Sequence, residues 1–255
     1  MPYTFKRYKT AYNPTSLTPY KLSRSKIDLF IECPRCFYLD RRLWVSRPDT
    51  PPYTLNNAVD ALLKNEFDLL RKNGEKHALM EKYHIDAVPF QHPDLPVWRD
   101  DVRRYTGACT LHQKTNLQIC GIVDDLWVNL KKELIIVDYK ATSTTRTISL
   151  EDEYKAGYKR QMEIYQWIFR QNGFKVADTG YFVFANATKN RAKFDGRLEF
   201  ELTIVPYKGN PNWVEKTIIE IKKTLESDKI PQPHPKCKYC NYRREAGLKI
   251  NSRLI

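Results

Sequence analysis

Apolar and polar positions change their rhythm twice along the chain. Early on they repeat every three or four residues. Leu55, Val59, Leu62, Leu63, Phe67 and Leu70 form one stripe of LNNAVDALLKNEFDLLRKNG, which predicts an amphipathic helix closed by Gly74. Upstream, SKIDLFIEC sets Ile27, Phe30 and Ile31 on one face, with Ser25 as its cap and Pro34 interrupting it after Cys33. A second short helix is expected in FYLDRRLW. From Leu117 to Thr142 the text turns β-rich: LQICGIVDDLWVNL, a Lys-Lys turn and ELIIVDYKAT predict a hairpin. A helix over 150–172 closed by Gly173, the strands GYFVFANAT and LEFELTIV, and an amphipathic helix from Asn212 to Ser227 follow. Residues 1–22 show neither period and are expected to form a basic N-terminal arm, and 85–105 a loop-like connector. Residues 23–255 are expected to form a single domain, since one core usually stops growing near that length.

Charge adds a partner to this picture. Lys and Arg number 43 against 30 Asp and Glu, and a net +13 draws in polyanions, of which nucleic acid is the commonest. No run of about 18 apolar residues is present and MPYTFKRYKTAYNP lacks a secretory apolar core, so no membrane association and a cytoplasmic location are expected. In that reducing setting the six cysteines are not expected to form disulfides. Cys109 and Cys120 read as packing, and His234 as a surface residue.

The hairpin carries the candidate chemistry. Asp138 and Lys140 stand two apart on a strand and share a face. Asp124 lies on the preceding strand, and the two acids meet only if the loop is Leu130-Lys131-Lys132, with Asn129 opposite Glu133; a two-residue turn would aim Asp124 at the wrong side. Two carboxylates beside an apolar core repel unless a cation neutralises them, and hard oxygen ligands suit Mg²⁺ or Mn²⁺. Such an ion can hold a phosphate oxygen and acidify a water, while Lys140 orients the water or stabilises the growing charge. Acid-x-lysine is also common on solvated strand faces; the hairpin, the upstream Gly-x-x-Asp and the downstream helix set this instance apart. On that helix Gln161 and Tyr165 lie one turn apart, where they could bond a nucleic acid or, for Tyr165, pack in the core.

Together, Gly121-x-x-Asp124, Asp138-Tyr139-Lys140 and Gln161-x-x-x-Tyr165 resemble the motifs of the RecB-like branch of the PD-(D/E)XK nuclease superfamily, which includes CRISPR-associated iron-sulfur exonucleases. The resemblance implies an α/β, restriction-endonuclease-like fold: a mixed central sheet flanked by helices, with the N- and C-terminal segments joined at a four-cysteine metal centre. It implies Asp124, Asp138 and the Tyr139 carbonyl as metal ligands, Lys140 as the catalytic lysine, and Gln161 and Tyr165 as DNA contacts. One departure stands out. The branch carries a metal-binding His in a Gly-x-x-x-His pattern where this chain has Asn56-Asn57-Ala58-Val59-Asp60, so Asp60 would replace it; its other reading is an exposed helix acid near Lys64.

Cys33-Pro-Arg-Cys36 and Cys237-Lys-Tyr-Cys240 supply four thiolates, the full set for a tetrahedral ion or a cluster. Spacing favours Zn²⁺, whereas the resemblance implies a [4Fe-4S] cluster, normally held by one early and three late cysteines; the cluster is the expected occupant and Zn²⁺ the alternative. The expected activity is a Mg²⁺- or Mn²⁺-dependent DNA nuclease, an exonuclease on single strands or DNA ends. The alternative is a noncatalytic nucleic-acid-binding module with a structural zinc or iron-sulfur site, for which the intact hairpin acids would have no use. Nothing in the sequence names a protein partner.

Overall fold

The computed structural model describes residues 11–100 and 107–253, so residues 1–10 of the expected arm lie outside the described residues. The chain forms two compact units, one of residues 1–50, 111–118 and 215–255, the other of 51–110 and 119–214.

In the first unit, β1 (Tyr20–Ser23) leads into α1 (Arg24–Glu32) and α2 (Pro34–Arg41). Ser23, not Ser25, is the residue before α1, and its side chain makes no capping bond; Ser25 lies inside the helix. Pro34 opens α2 at a position where no amide hydrogen is needed. Phe30 and Phe37 pack edge to face, 5.3 Å between centroids. Residues 11–22 contribute to this packing: Tyr12 and Leu22 are buried, and the Tyr12 amide donates to the Arg41 carbonyl at 2.7 Å.

The second unit holds α3 (Thr54–Asn73), α4 (Ala78–Lys82), β2 (Ala87–Pro89) and α5 (Leu95–Asp100). Two of these, β2 and α5, lie where the sequence predicts a structureless connector over 85–105, of which 101–105 fall outside the described residues; Pro89 is tolerated because β2 is an edge strand. Gly74 ends α3 at φ 68°, as predicted, but Leu55 and Leu62 are exposed. The buried stripe is narrower, Val59, Leu63, Phe67 and Arg71, one residue per turn.

β3 (Ala108–His112) and β4 (Leu117–Gly121) form a hairpin whose tip, 111–118, belongs to the first unit, where the Tyr20 amide donates to the Asn116 carbonyl at 3.0 Å. β5 (Asp125–Asn129), β6 (Leu134–Thr142), α6 (Ala156–Gln171), β7 (Thr179–Ala187) and β8 (Phe200–Lys208) complete the second unit. The expected continuous strand from 117 is therefore two strands in different sheets. Its break is held by bonds that a sequence pattern does not display: Val123 N–H to the Trp98 carbonyl at 3.0 Å and the Tyr165 hydroxyl to the Ile122 carbonyl at 2.5 Å. Cys109 and Cys120, read as packing, are joined as a disulfide between β3 and β4. Pairing of the neighbouring strands β3 and β4 brings them together, overriding the expectation of free thiols.

The main sheet runs β2-β5-β6-β7-β8, with β6 and β7 parallel and the other pairs antiparallel, the mixed central sheet expected. β6 is buried on both faces: Ile135, Val137 and Tyr139 join Val59, Leu63 and Phe67 of α3, while Asp138 turns to α6. Between the opposed Asn129 and Glu133 the β5–β6 loop has three residues, 130–132. Asn129 N–H donates to Glu133 O at 3.1 Å, and Lys132 takes the left-handed conformation (φ 58°) that such a loop requires. Asp125 pairs with Val137, so one further step of the same register sets Asp124 opposite Asp138.

The remaining helices are α7 (Asn212–Glu226), with Val214, Ile218, Ile221 and Leu225 fully buried, and α8 (Lys238–Asn251). α8 was not predicted because it buries no residue and so has no apolar stripe to read. Among the described residues, no helix is long and apolar enough to cross a membrane.

Candidate active site

Asp138 is wholly buried near the end of an apolar strand. Its Oδ1 accepts from Gln161 Nε2 at 2.7 Å; its Oδ2 faces the Lys140 ammonium in an ion pair but has no hydrogen-bond partner of good geometry. Asp124 reaches across from the end of the β4–β5 break and accepts the Tyr139 amide at 2.8 Å, clasping the peptide that joins Asp138 to Tyr139. Burial, then the Asp138 charge, raises the Asp124 carboxyl to about 6. For Lys140 burial works against the ammonium, but Asp138 and Asp124 outweigh it and hold the group above its ordinary value. Its ammonium also lies 4.7 Å from the centre of the Tyr158 ring.

Asp60, on the second turn of α3, pairs with Lys64 at 2.9 Å. Burial and then the Asp124 charge raise its carboxyl, so Asp60 stands within electrostatic reach of Asp124. The structure thus gathers Asp60, Asp124 and Asp138 with two lysines. Among the described residues, only the four cysteines bring three or more ligand atoms within 4.8 Å of one another, so the carboxylates stand wider apart than a closed metal shell. Two carboxyls raised by burial and by a neighbouring acid, Asp60 and Asp124, and an Asp138 oxygen without a hydrogen bond fit a hard divalent cation, which would relieve both.

Gln161 and Tyr165 come together on α6, 3.4 Å between amide nitrogen and hydroxyl, but inside the protein at 8% and 2% exposure. The Gln161 amide serves Asp138 and the Tyr165 hydroxyl serves Ile122. The Tyr165 ring also explains Gly121: a Cβ there would lie 2.4 Å from a ring carbon.

The model of the PD-(D/E)XK nuclease superfamily matches residues 21–244. The chain belongs to this superfamily. Six solved chains also match; one, described as "Crystal structure of SSO0001", is 14% identical, with 83% of this chain and 79% of that one covered and a TM-score of 0.39. No curated protein matches. Membership carries two coarse consequences: a nuclease with nucleic acid as substrate, and the use of divalent metal ions.

This PD-(D/E)XK protein has a buried support behind its hairpin that sequence reasoning missed. Asp125, with no exposure, accepts from Arg71 Nη2 at 2.6 Å and from the Tyr139 hydroxyl at 2.7 Å. Asp68 binds both Arg71 (3.0 Å) and Arg99 (2.6 Å). One signal was present: Arg71 continues the apolar stripe of α3 four residues after Phe67, and a cation in that place needs a buried acid.

The nuclease also brings its four CxxC cysteines together. Cys36 Sγ lies 3.6 Å from both Cys237 and Cys240, and Cys33 lies 3.8 Å from Cys240. Each pair occupies the residue preceding a helix and its first turn, Cys33 and Cys36 on α2, Cys237 and Cys240 on α8. Two helix N-termini therefore face the sulfurs and favour thiolates. Burial opposes ionisation of Cys237, yet the Cys240 amide and the other cysteines bring it to about 7, whereas burial holds the Cys36 and Cys240 thiols above their ordinary value, so the four do not all ionise without a bound cation. The donor set fits a soft metal ion or cluster.

Proposed function

We propose that the chain is a Mg²⁺- or Mn²⁺-dependent deoxyribonuclease, acting as an exonuclease on single strands or DNA ends. The observation that carries this reading is Asp124 clasping the Tyr139 amide beside the Asp138–Lys140 pair. In it, Asp124, Asp138, the Tyr139 carbonyl and Asp60 would hold the cation, which when bound would supply charge neutralisation and an acidified water for attack on phosphorus. Lys140, held protonated by the two acids, stabilises the charge that grows on the phosphate oxygens. Gln161 fixes the Asp138 carboxylate, and Tyr165 fixes the turn that presents Asp124. The cytoplasm, where nucleic acid and Mg²⁺ are both at hand, is the proposed site of action.

Asp138→Ala and Lys140→Ala are each expected to abolish Mn²⁺-dependent cleavage of labelled DNA while leaving binding largely intact. Cleavage retained in both variants rejects the site. Closed circular and linear single strands separate endonuclease from exonuclease, and only the linear form should be degraded.

For the cysteine centre, sulfur spacing favours a single ion. Four thiolates around zinc at about 2.3 Å stand about 3.8 Å apart, close to the separations seen here. A [4Fe-4S] cluster binds each thiolate to a different iron and spreads them wider. Zn²⁺ is therefore the proposed occupant, and metal analysis with a visible spectrum decides it against the cluster that the resemblance implies.

A further inference from the structure

Past Lys140 the catalytic strand does not end in open solvent. β6 and β7 run parallel, with Lys140 beside Phe184 and Thr142 beside Asn186, so both chains leave the sheet at the same edge. In open α/β sheets, ligands collect at the carboxyl ends of such strands. Here those ends frame a polar cleft of about 470 Å³. Its lining includes Thr144, Thr145, Arg146, Thr147, Thr188 and Lys189.

The cleft wall is held in place by β7. Asn186 Oδ1 accepts the Thr144 amide at 2.9 Å, Asn186 Nδ2 donates to the Thr144 carbonyl at 3.1 Å, and the Ser143 hydroxyl donates to the Ala187 carbonyl at 2.9 Å. Neither the Arg146 guanidinium nor the Lys189 ammonium has an ion-pair partner among the described residues, although many other surface cations do. Glu201 is the one acid of the lining, so the lining is net positive. Thr144 is four residues past Lys140, at most about 13 Å along extended chain. Each strand of a duplex carries one phosphate per about 3.4 Å of axis, and an extended single strand spaces them wider, so the cleft stands no more than about four phosphates from the candidate scissile bond.

We propose that this cleft is the channel for the substrate strand, in which Arg146 and Lys189 bind backbone phosphates and the threonine hydroxyls add sequence-independent hydrogen bonds. The occupant is a single strand of DNA, whose flexible backbone can follow a cleft at one sheet edge. The inference rests on the proposed nuclease reading and names where its substrate lies. Phosphate contacts position the strand without reading bases, so the channel sets affinity and not sequence preference.

The test compares wild type with Arg146→Ala/Lys189→Ala, and with Lys131→Ala/Lys132→Ala, which removes the same charge from the far end of the β5–β6 hairpin. Binding of a labelled single-stranded DNA oligonucleotide is followed by fluorescence anisotropy without metal, across a salt series. Cleavage is followed with Mn²⁺. For single strands each phosphate contact contributes about 0.7 to the slope of log K against log salt, so two lost contacts make the slope shallower by about 1.4. KM should rise about ten-fold or more with kcat little changed, and Arg146→Lys/Lys189→Arg should restore the slope. An unaltered slope, a change matched by the Lys131/Lys132 variant, or no restoration by the charge-conserving variant overturns the channel. Wild type that binds DNA but cuts none under any divalent metal overturns the nuclease reading instead, and the slopes still decide the channel. Wild type that neither binds nor cuts overturns both.

Discussion

Gln161 Nε2 and Asp138 Oδ1 lie 2.7 Å apart, joining α6 to the buried carboxylate of β6. The bond fixes which way Asp138 turns its oxygens and leaves Oδ2 for a cation and Lys140. Removing partners of this kind typically costs about 10- to 100-fold in metal affinity or activity. Gln161→Ala is therefore expected to raise the Mn²⁺ concentration for half-maximal cleavage by about that factor, at unchanged DNA affinity. If instead DNA affinity falls and the Mn²⁺ titration does not move, Gln161 acts on the substrate directly.

The Asp124 carboxyl, raised to about 6, predicts a pH dependence with a definite sign. A carboxyl raised on folding binds its proton more tightly in the folded chain. Its favourable contribution is complete below the ordinary carboxylate range and is lost as pH climbs through about 6. Metal-free wild type should thus lose thermal stability relative to Asp124→Asn as pH rises from about 4 to about 7. Mn²⁺ should stabilise wild type most above that range, where its ligand is ionised. Thermal melts with and without Mn²⁺ check both; an equal Mn²⁺ effect at acid and neutral pH contradicts the assignment.

The hairpin register was legible because two acids and a strand period of two leave few choices. Asp124 reaches Asp138 only through an odd loop, and the structure has that loop. The usual marker of its left-handed position, a Gly or Asn, is replaced by Lys132, so turn chemistry alone would have misled. The break after Gly121 was not legible, since fully buried Val123 continues the apolar run while its backbone is claimed by Trp98. The Cys109–Cys120 pairing was hidden for the same reason: it depends on strand register in a hairpin with no predicted first strand. Local pattern shows which residues are buried; it does not show which distant group satisfies them.

Arg71 and Asp125 illustrate the cost of such hidden partners. Arg71→Ala leaves Asp125 charged, fully buried and short of one donor, and breaking a buried pair in this way costs about 3–5 kcal/mol. Tyr139→Phe removes one hydrogen bond to the same carboxylate and should cost about 1.5–3 kcal/mol. Because both act on Asp125, the double variant should lose less than the sum. Urea unfolding of the four proteins measures this, and strict additivity would show that Arg71 and Tyr139 do not work through a common partner.

The cysteine centre ties the start of α2 to the start of α8, two segments about two hundred residues apart in sequence. A long loop closed by one ion restrains the unfolded chain strongly, and an ion that binds only the folded state stabilises it by mass action. Cys36→Ser and Cys240→Ser each remove a thiolate that lies at 3.6 Å from another, and neither variant should retain stoichiometric metal. If the bound ion supplies about 4 kcal/mol, Tm falls on the order of 10 °C in a chain of this size. Colourless wild-type protein releasing one zinc per chain, with the Tm loss reproduced by a chelator, is the expected result. Brown protein with absorbance near ~400 nm and several irons per chain would instead show that the thiolates part to admit a cluster. Metal-free wild type melting at the same temperature as the loaded protein would remove the centre from the stability of the fold altogether.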